Sequence, residues 1–185
     1  AAARGELRAI AKVNGQDISS GMQVIAYPDN PPQTVFPPSI AALVRADVKT
    51  LARRIGYVMG AGDEVPGALR QLGCEVTLLG AEDLARGDLS RFDAIVAGVR
   101  AYNVRADLVA NQQRLLEYAR NGGTLVVQYI VPDSRSQAGP SGIGPFPLQI
   151  GRARVSVEEA PILFLNPKHP LMTTPNRIGE EDLRG

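Results

Sequence analysis

The chain has almost no residues of the types that most enzymes use for chemistry. Among 185 residues there is one cysteine, Cys74, one histidine, His169, and no tryptophan. A single cysteine excludes an intrachain disulfide framework, and one cysteine with one histidine excludes a zinc site built from several such ligands. A mechanism needing two histidines is excluded within one copy. Aromatic residues make up only 5% of the chain, which disfavours a stacking platform for bases or sugars. Neither sign of charge is in excess: 20 Lys and Arg against 19 Asp and Glu leave a net +1, no electrostatic footprint for nucleic acid or an anionic membrane. No apolar run approaches the roughly 18 residues of a membrane-spanning helix. The first residues, Ala1-Ala-Ala-Arg-Gly5, lack the h-region of a signal peptide and read like a cut through a longer protein.

What is present is a hydrophobic content of 44% with 21% charged residues, enough for one ordinary core. Two patterns divide the chain. Residues 6–13 alternate, Asn14-Gly15 makes a turn, and residues 21–27 form a second strand. The stretch from Pro28 to Pro38 holds Pro28, Pro31, Pro32, Pro37 and Pro38, which excludes helix and central strand. Residues 40–48 read as a third strand. Period-2 strands between turns suggest antiparallel sheet, so residues 1–50 are expected to be the C-terminal strands of a β-rich domain plus a linker. Residues 51–185 alternate strand and helix. Strands are expected at 55–59, 74–79, 93–99 and 124–129, helices at 63–72 and 108–121, and a short helix or loop at 81–89. Runs apolar on both faces and separated by helices are what a covered parallel sheet requires. A Gly/Pro/Ser loop at 132–147 precedes late strands or a hairpin at 155–159 and 162–165, then a Pro-rich tail.

Arg54-Ile-Gly-Tyr-Val-Met-Gly-Ala-Gly-Asp-Glu-Val-Pro66 is the most informative stretch: a strand, a glycine turn at Gly60 and Gly62, and a helix opening at Asp63. That order places ligands at the carboxyl ends of parallel strands. Val65 stands where a dinucleotide fingerprint needs its third glycine, and Asp63 and Glu64 put negative charge where a pyrophosphate would lie. Those acids serve better as N-cap and dipole partners, or toward sugar hydroxyls or a cation. The segment after the third strand should share this edge, and Arg100, Tyr102, Asn103 and Arg105 there offer donors for an anion or polyol. The alternative is a plain loop in which Asn103 or Asp107 caps the next helix and the arginines are solvated. Gln128 and Tyr129 would complete a shallow polar pocket. Glu158 and Glu159 are adjacent, so on a strand they would point to opposite faces and make no acid/base couple.

Several phrases in combination carry a resemblance: Tyr57-Val-Met-Gly-Ala-Gly-Asp-Glu-Val-Pro66, Ala68-Leu-Arg-Gln-Leu-Gly73, Phe92-Asp-Ala-Ile-Val-Ala-Gly98, Arg100-Ala-Tyr-Asn103 and Gly122-Gly-Thr-Leu-Val-Val-Gln-Tyr129. From about residue 41 onward they resemble the region after the catalytic domain in large bacterial PIG-L (LmbE-like) deacetylases, a class I glutamine amidotransferase-like domain related to ThuA. The resemblance implies an α/β, flavodoxin-like three-layer sandwich with a mostly parallel sheet, truncated at its C-terminus and preceded by terminal strands of a β-domain. It implies a non-catalytic accessory module, binding carbohydrate or packing on the catalytic domain, in a parent that would be a zinc-dependent N-deacetylase. The Ala-His-Pro-Asp-Asp-type zinc motif of that family is missing here, so no metal or cofactor is expected. An active amidotransferase carries a cysteine after a central strand and a downstream His-Pro-Glu. Gln128 or Tyr129 occupies the cysteine's place, Cys74 opens a strand at the opposite edge, and Leu171 follows His169-Pro170 where glutamate would stand. The ligand-binding candidates are therefore Gly60, Gly62, Asp63, Arg100, Tyr102, Asn103, Gln128, Tyr129 and His169, with no catalytic residue assigned. Two other readings stay open: a small hydrolase or transferase with a degenerate site, and a structural or homodimerisation unit. Expected partners are carbohydrate or a small polar ligand and other domains of the parent, without nucleic acid or membrane.

Overall fold

The computed structural model describes residues 3–45, 47–132, 143–148, 150–151, 153–157 and 159–183. The chain divides into two units, Ala1–Val48 and Lys49–Gly185.

The first unit consists of antiparallel two-stranded ribbons: β1 (Ala3–Arg8) with β6 (Ile40–Arg45), β2 (Ala11–Val13) with β3 (Gln16–Ile18), and β4 (Gln23–Tyr27) with β5 (Asn30–Val35). Asn14 and Gly15, both at positive φ, make the tight turn between β2 and β3. The proline-rich stretch forms strand after all. β5 runs through Pro31 and Pro32 but pairs only with β4, and an unpaired edge tolerates residues without an N–H. No described residue of this unit is buried, and only Gly21, Ile25 and Ser39 are half-buried.

In the second unit, four parallel strands lie in the order β10 (Thr124–Val127), β9 (Ala94–Ala97), β7 (Arg54–Val58), β8 (Glu75–Leu78). The first two strands of the unit, β7 and β8, are neighbours. The third, β9, lies on the other side of β7. This gives a mixed α/β unit with a helix-flanked parallel sheet, compatible with a flavodoxin-like layout. Period-2 alternation along β7 and β9 sorts the core. Ile55, Tyr57, Ala94 and Val96 point to one face with Cys74, against Val65 and Leu69 of α1 (Val65–Gln71). Val58, Ile95 and Ala97 point to the other, against Leu84 of α2 (Ala81–Arg86), Leu108 and the Leu115–Tyr118 stripe of the later helices. Tyr57, Leu84, Ile95, Leu108, Leu115 and Val58 are the largest fully buried side chains, each worth about 1.5–3 kcal/mol of transfer free energy.

Five local expectations change. The first helix starts at Val65 with Glu64 as N-cap, and the Asp63 carboxylate, one residue earlier, accepts from the Val65 amide at 3.1 Å. The expected helix over 108–121 is two, α4 (Ala106–Ala110) and α5 (Gln112–Arg120). Between them the Asn111 side chain donates to the Asp107 carbonyl at 2.8 Å, competing with the helical ladder. The segment after β9 is not all loop, since α3 spans Ala101–Val104. β10, expected to be covered on both faces, is a sheet edge with Thr124 and Val126 exposed. The late residues 155–157 and 162–165 form no strand; Glu158 lies outside the described residues.

The amino edge of the sheet is held by Asp93. Its Oδ2 accepts from the Arg53 and Arg54 amides at 2.8 and 2.9 Å, and its Oδ1 from Arg54 Nη2 at 3.1 Å. The two backbone donors, then the Arg54 guanidinium, lower its pKa to about 2. A carboxylate whose folded pKa lies below its unfolded value, ordinarily about 3.9, stabilises the fold at pH above that value. Its contribution is lost as pH falls through about 2. In urea titrations from pH 5 down to pH 2, the stability gap between the parent and Asp93→Asn should therefore shrink from about pH 4 downward. A gap independent of pH would contradict the assignment.

Candidate functional site

At the carboxyl edge, strand β7 runs into Gly60-Ala61-Gly62 and strand β9 into Gly98-Val99-Arg100. In this strand order the crevice between these two ends is where an open parallel sheet takes its ligand. Here the chain itself fills the crevice. The Ala61 amide donates to Val99 O at 2.9 Å, and a Cβ on Gly60 would sit 2.0 Å from that same oxygen. Gly60 is thus glycine because a neighbouring loop touches it. Gly62 is glycine for another reason: its φ is +103° with open space around it.

Asp63 ties the edge together. Its Oδ1 accepts from the Tyr57 hydroxyl at 2.6 Å and from the Val65 amide at 3.1 Å, and its Oδ2 from the Val99 amide at 3.3 Å. The Gln128 amide end lies 3.2 Å from the same phenol. A phenol has one proton, and the shorter contact to Asp63 takes it, so Gln128 Oε1 stands as a second, alternative acceptor for the same hydroxyl. Burial, then the Asp63 hydrogen bond and charge, hold the Tyr57 pKa well above the usual phenol range, so it stays a neutral donor. Gly98 makes room for the pair, since a Cβ there would fall 2.7 Å from the Tyr57 oxygen and 3.0 Å from Asp63 Oδ2.

The remaining expected donors are mostly engaged. The Asn103 side chain donates to Val131 O at 2.8 Å and accepts from Val131 N at 3.0 Å, pinning the irregular segment that follows β10. Capping the next helix is not its role: the N-cap of α4 is Arg105, with no side-chain cap. Arg105, offered as a donor for an anion or polyol and solvated only in the plain-loop alternative, donates to Asp107 at 2.8 and 2.6 Å and to Met59 O at 3.2 Å. The ion pair raises the Arg105 pKa and lowers that of Asp107. Tyr102 is buried, donates to Gln112 Oε1, and is pushed up to about 12 by burial. Gln112 in turn donates to Ile143 O at 2.8 Å.

Gly62, Arg100, Asn103, Tyr129 and His169 are exposed, and of their side chains those of Arg100 and Tyr129 make no bond among the described residues. Arg100 is exposed, sits in the left-handed region at φ 58°, and donates its amide to Tyr129 O at 2.7 Å. Among the described residues its guanidinium has no hydrogen bond or ion pair. Tyr129 is 62% exposed. His169 does not join them through any bond. It is exposed, and its Nδ1 accepts from Leu171 N at 3.2 Å as the cap of α6 (Pro170–Thr173). Cys74 is buried, with Sγ 3.5 Å from Ala52 O. Among the described residues no group of three or more His, Cys, Asp or Glu could hold a metal ion.

Tyr57 is the member of this edge that sequence reading passed over. The available signal was a phenol three positions before Gly60, in the middle of the apolar run Ile55–Met59. Gln112 was legible too, since it falls on the apolar row of Leu108 and Leu115 and so had to be buried with a partner.

Compared with models of protein families, with curated proteins and with solved structures, the chain finds no match in any of the three. Fold and edge geometry therefore carry the class: a mixed α/β unit with a helix-flanked parallel sheet, in which the Ala61–Val99 backbone bond and the Asp63 carboxylate bridge the loops after β7 and β9.

Proposed function

We propose that Lys49–Gly185 is a non-catalytic accessory domain of the amidotransferase-like, flavodoxin-type three-layer class, carried by a larger PIG-L-type deacetylase-like protein. In that reading Ala1–Val48 supplies the terminal strands of the β-rich domain before it. The domain contacts carbohydrate, or its catalytic neighbour, through the outer side of the carboxyl edge. The observation that carries this is the closure of the crevice. Asp63, Asn103, Arg105 and Tyr102, the groups such an edge would turn toward a substrate, are hydrogen-bonded within the fold instead, to Tyr57 and Val99, Val131, Asp107, and Gln112 respectively. The phenols of Tyr57 and Tyr102 are held neutral, so neither supplies a base at neutral pH. What is left facing outward is a cation and an aromatic face, Arg100 and Tyr129, a combination that suits a sugar ring with polar or acidic substituents.

A thermal-shift titration of the whole chain with amino sugars and with neutral and acidic oligosaccharides tests the carbohydrate reading. A ligand at about 100 times its Kd should stabilise by ~2.7 kcal/mol, a rise of roughly 5–10 °C for a domain of this size. Arg100→Ala and Tyr129→Ala should each reduce it without lowering the Tm of the free protein. Should no sugar move the midpoint, carbohydrate binding is refuted.

A further inference from the structure

Two asparagines of the chain precede glycine, Asn14 and Asn121. An Asn-Gly pair carries its own nucleophile and electrophile. The glycine amide nitrogen lies within ring-closing reach of the asparagine Cγ, and glycine has no Cβ to obstruct the approach. Whether the ring closes depends on how firmly the pair is held, and these two are held very differently. Asn14 and Gly15 are the two-residue loop between β2 and β3, at φ 49° and 81°. Both are exposed, and nothing lies within 4 Å of a Cβ built on Gly15. Among the described residues neither the Gly15 amide nor the Asn14 side chain makes a hydrogen bond. The flanking ribbon has three residues per strand, every one exposed, so it opens readily. Asn121 is instead the C-cap of α5, at ψ 15°. Its amide donates to Glu117 O at 2.9 Å, the Gly122 amide to Ala119 O at 3.1 Å and the Gly123 amide to Tyr118 O at 3.0 Å. Tyr118 is buried and its hydroxyl donates to Phe92 O at 3.0 Å, which anchors that turn to the core.

We propose that Asn14 is a self-modification site, converted through a succinimide to aspartate and isoaspartate, while Asn121 is protected by its turn. Water or hydroxide takes the Gly15 amide proton as that nitrogen attacks Asn14 Cγ. The N–Cγ bond forms, the Cγ–Nδ2 bond breaks, and Nδ2 takes a proton from water and leaves as ammonia. One water then opens the ring. Cleavage of the N–Cγ bond gives aspartate on an unchanged backbone. Cleavage at the Asn14 backbone carbonyl gives isoaspartate, whose main chain runs through the former side chain. No oxidant or reductant takes part. Either product adds one negative charge and cancels the net +1 of the chain. The two differ in what they do to the fold. Aspartate tolerates the left-handed region, and Asp-Gly suits the same turn. Isoaspartate inserts a methylene into a two-residue loop, so the Val13–Gln16 pair that closes it loses its register. The ribbon is therefore kept or melted according to which side of the ring water opens.

The test incubates the whole chain at neutral and at mildly alkaline pH, with peptide mapping by fragmentation that separates aspartate from isoaspartate. In the folded chain Asn14 should react at least about tenfold faster than Asn121, because Gly122 must first give up its hydrogen bond and leave the capped turn. Conversion of Asn14 should be faster at the higher pH, where the Gly15 amide proton is lost more readily. In urea the two sites should react at similar rates, since protection goes with the fold. Amide exchange in β2 and β3 should be faster in the isolated isoaspartyl form than in the parent, and unchanged in Asn14→Asp. Equal rates in the folded chain, an advantage of Asn14 that persists in urea, or no product at Asn14 would overturn the proposal. Unaltered exchange in the isoaspartyl form would overturn its structural consequence. The sugar titration has no bearing on it, because Arg100 and Tyr129 lie in the other unit.

Discussion

Gly60→Ala is expected to cost at least about 3 kcal/mol and to lower the Tm by roughly 10 °C. The new Cβ would lie 2.0 Å from Val99 O and 2.8 Å from Ala101 N. Both are backbone atoms, so no flexible side chain can swing aside. Relief requires the loops after β7 and β9 to separate, which breaks the Ala61–Val99 bond and strains Asp63, whose carboxylate spans the same two loops. Gly62→Ala, two residues away, supplies the internal comparison. Nothing lies within 4 Å of its would-be Cβ, and only the backbone at φ +103° objects, a penalty of about 1–3 kcal/mol. Thermal unfolding by circular dichroism separates the two. If Gly60→Ala melts with the parent, the crevice is open rather than closed.

The second large effect is expected at Asp63. Asp63→Ala removes the acceptor of three hydrogen bonds at once and should destabilise by about 3 kcal/mol. Tyr57 can fall back on Gln128, 3.2 Å away, but the Val65 and Val99 amides lose their partner. Asp63 is only half-buried, so water recovers part of the loss, which keeps the figure below three full charged hydrogen bonds. Asp63→Asn keeps one acceptor oxygen and should lose about half as much. A double-mutant cycle with Tyr57→Phe should return a coupling of about 1 kcal/mol or more, because the two groups touch. Additive losses would show that the phenol–carboxylate contact contributes nothing. Asp63 thus acts as a clamp between loops, and any ligand at this edge meets Arg100 and Tyr129 first.

The architecture of the second unit was largely legible. Runs such as Ile55–Val58 and Ala94–Ala97 are apolar on both faces, and only a covered central strand accommodates that. The glycine turn placed the carboxyl edge correctly. Less legible was the break at Asn111, where the side chain shares the Asp107 carbonyl with its own backbone amide. The exposure of Val126 also escaped, because apolarity alone does not reveal which strand ends up at a sheet edge. Pro31 and Pro32 argue against a central strand, and β5 obeys that limit as one half of a ribbon.

The chemistry of the edge shows the division most clearly. From composition alone, the single cysteine and single histidine removed whole classes of mechanism. The spacing of Gly60, Gly62 and Asp63 located a turn at the right end of a parallel strand. The sequence by itself therefore determined where the carboxyl edge of the sheet would be, and that a second cysteine or histidine is missing from this chain. Only tertiary structure decided that the edge is closed. Tyr57, Asp63, Val99 and Gln128 are separated by up to 71 positions, and no local pattern says which of them will meet. Hydrogen-bond partners are chosen by strand order, and strand order is a property of the folded sheet.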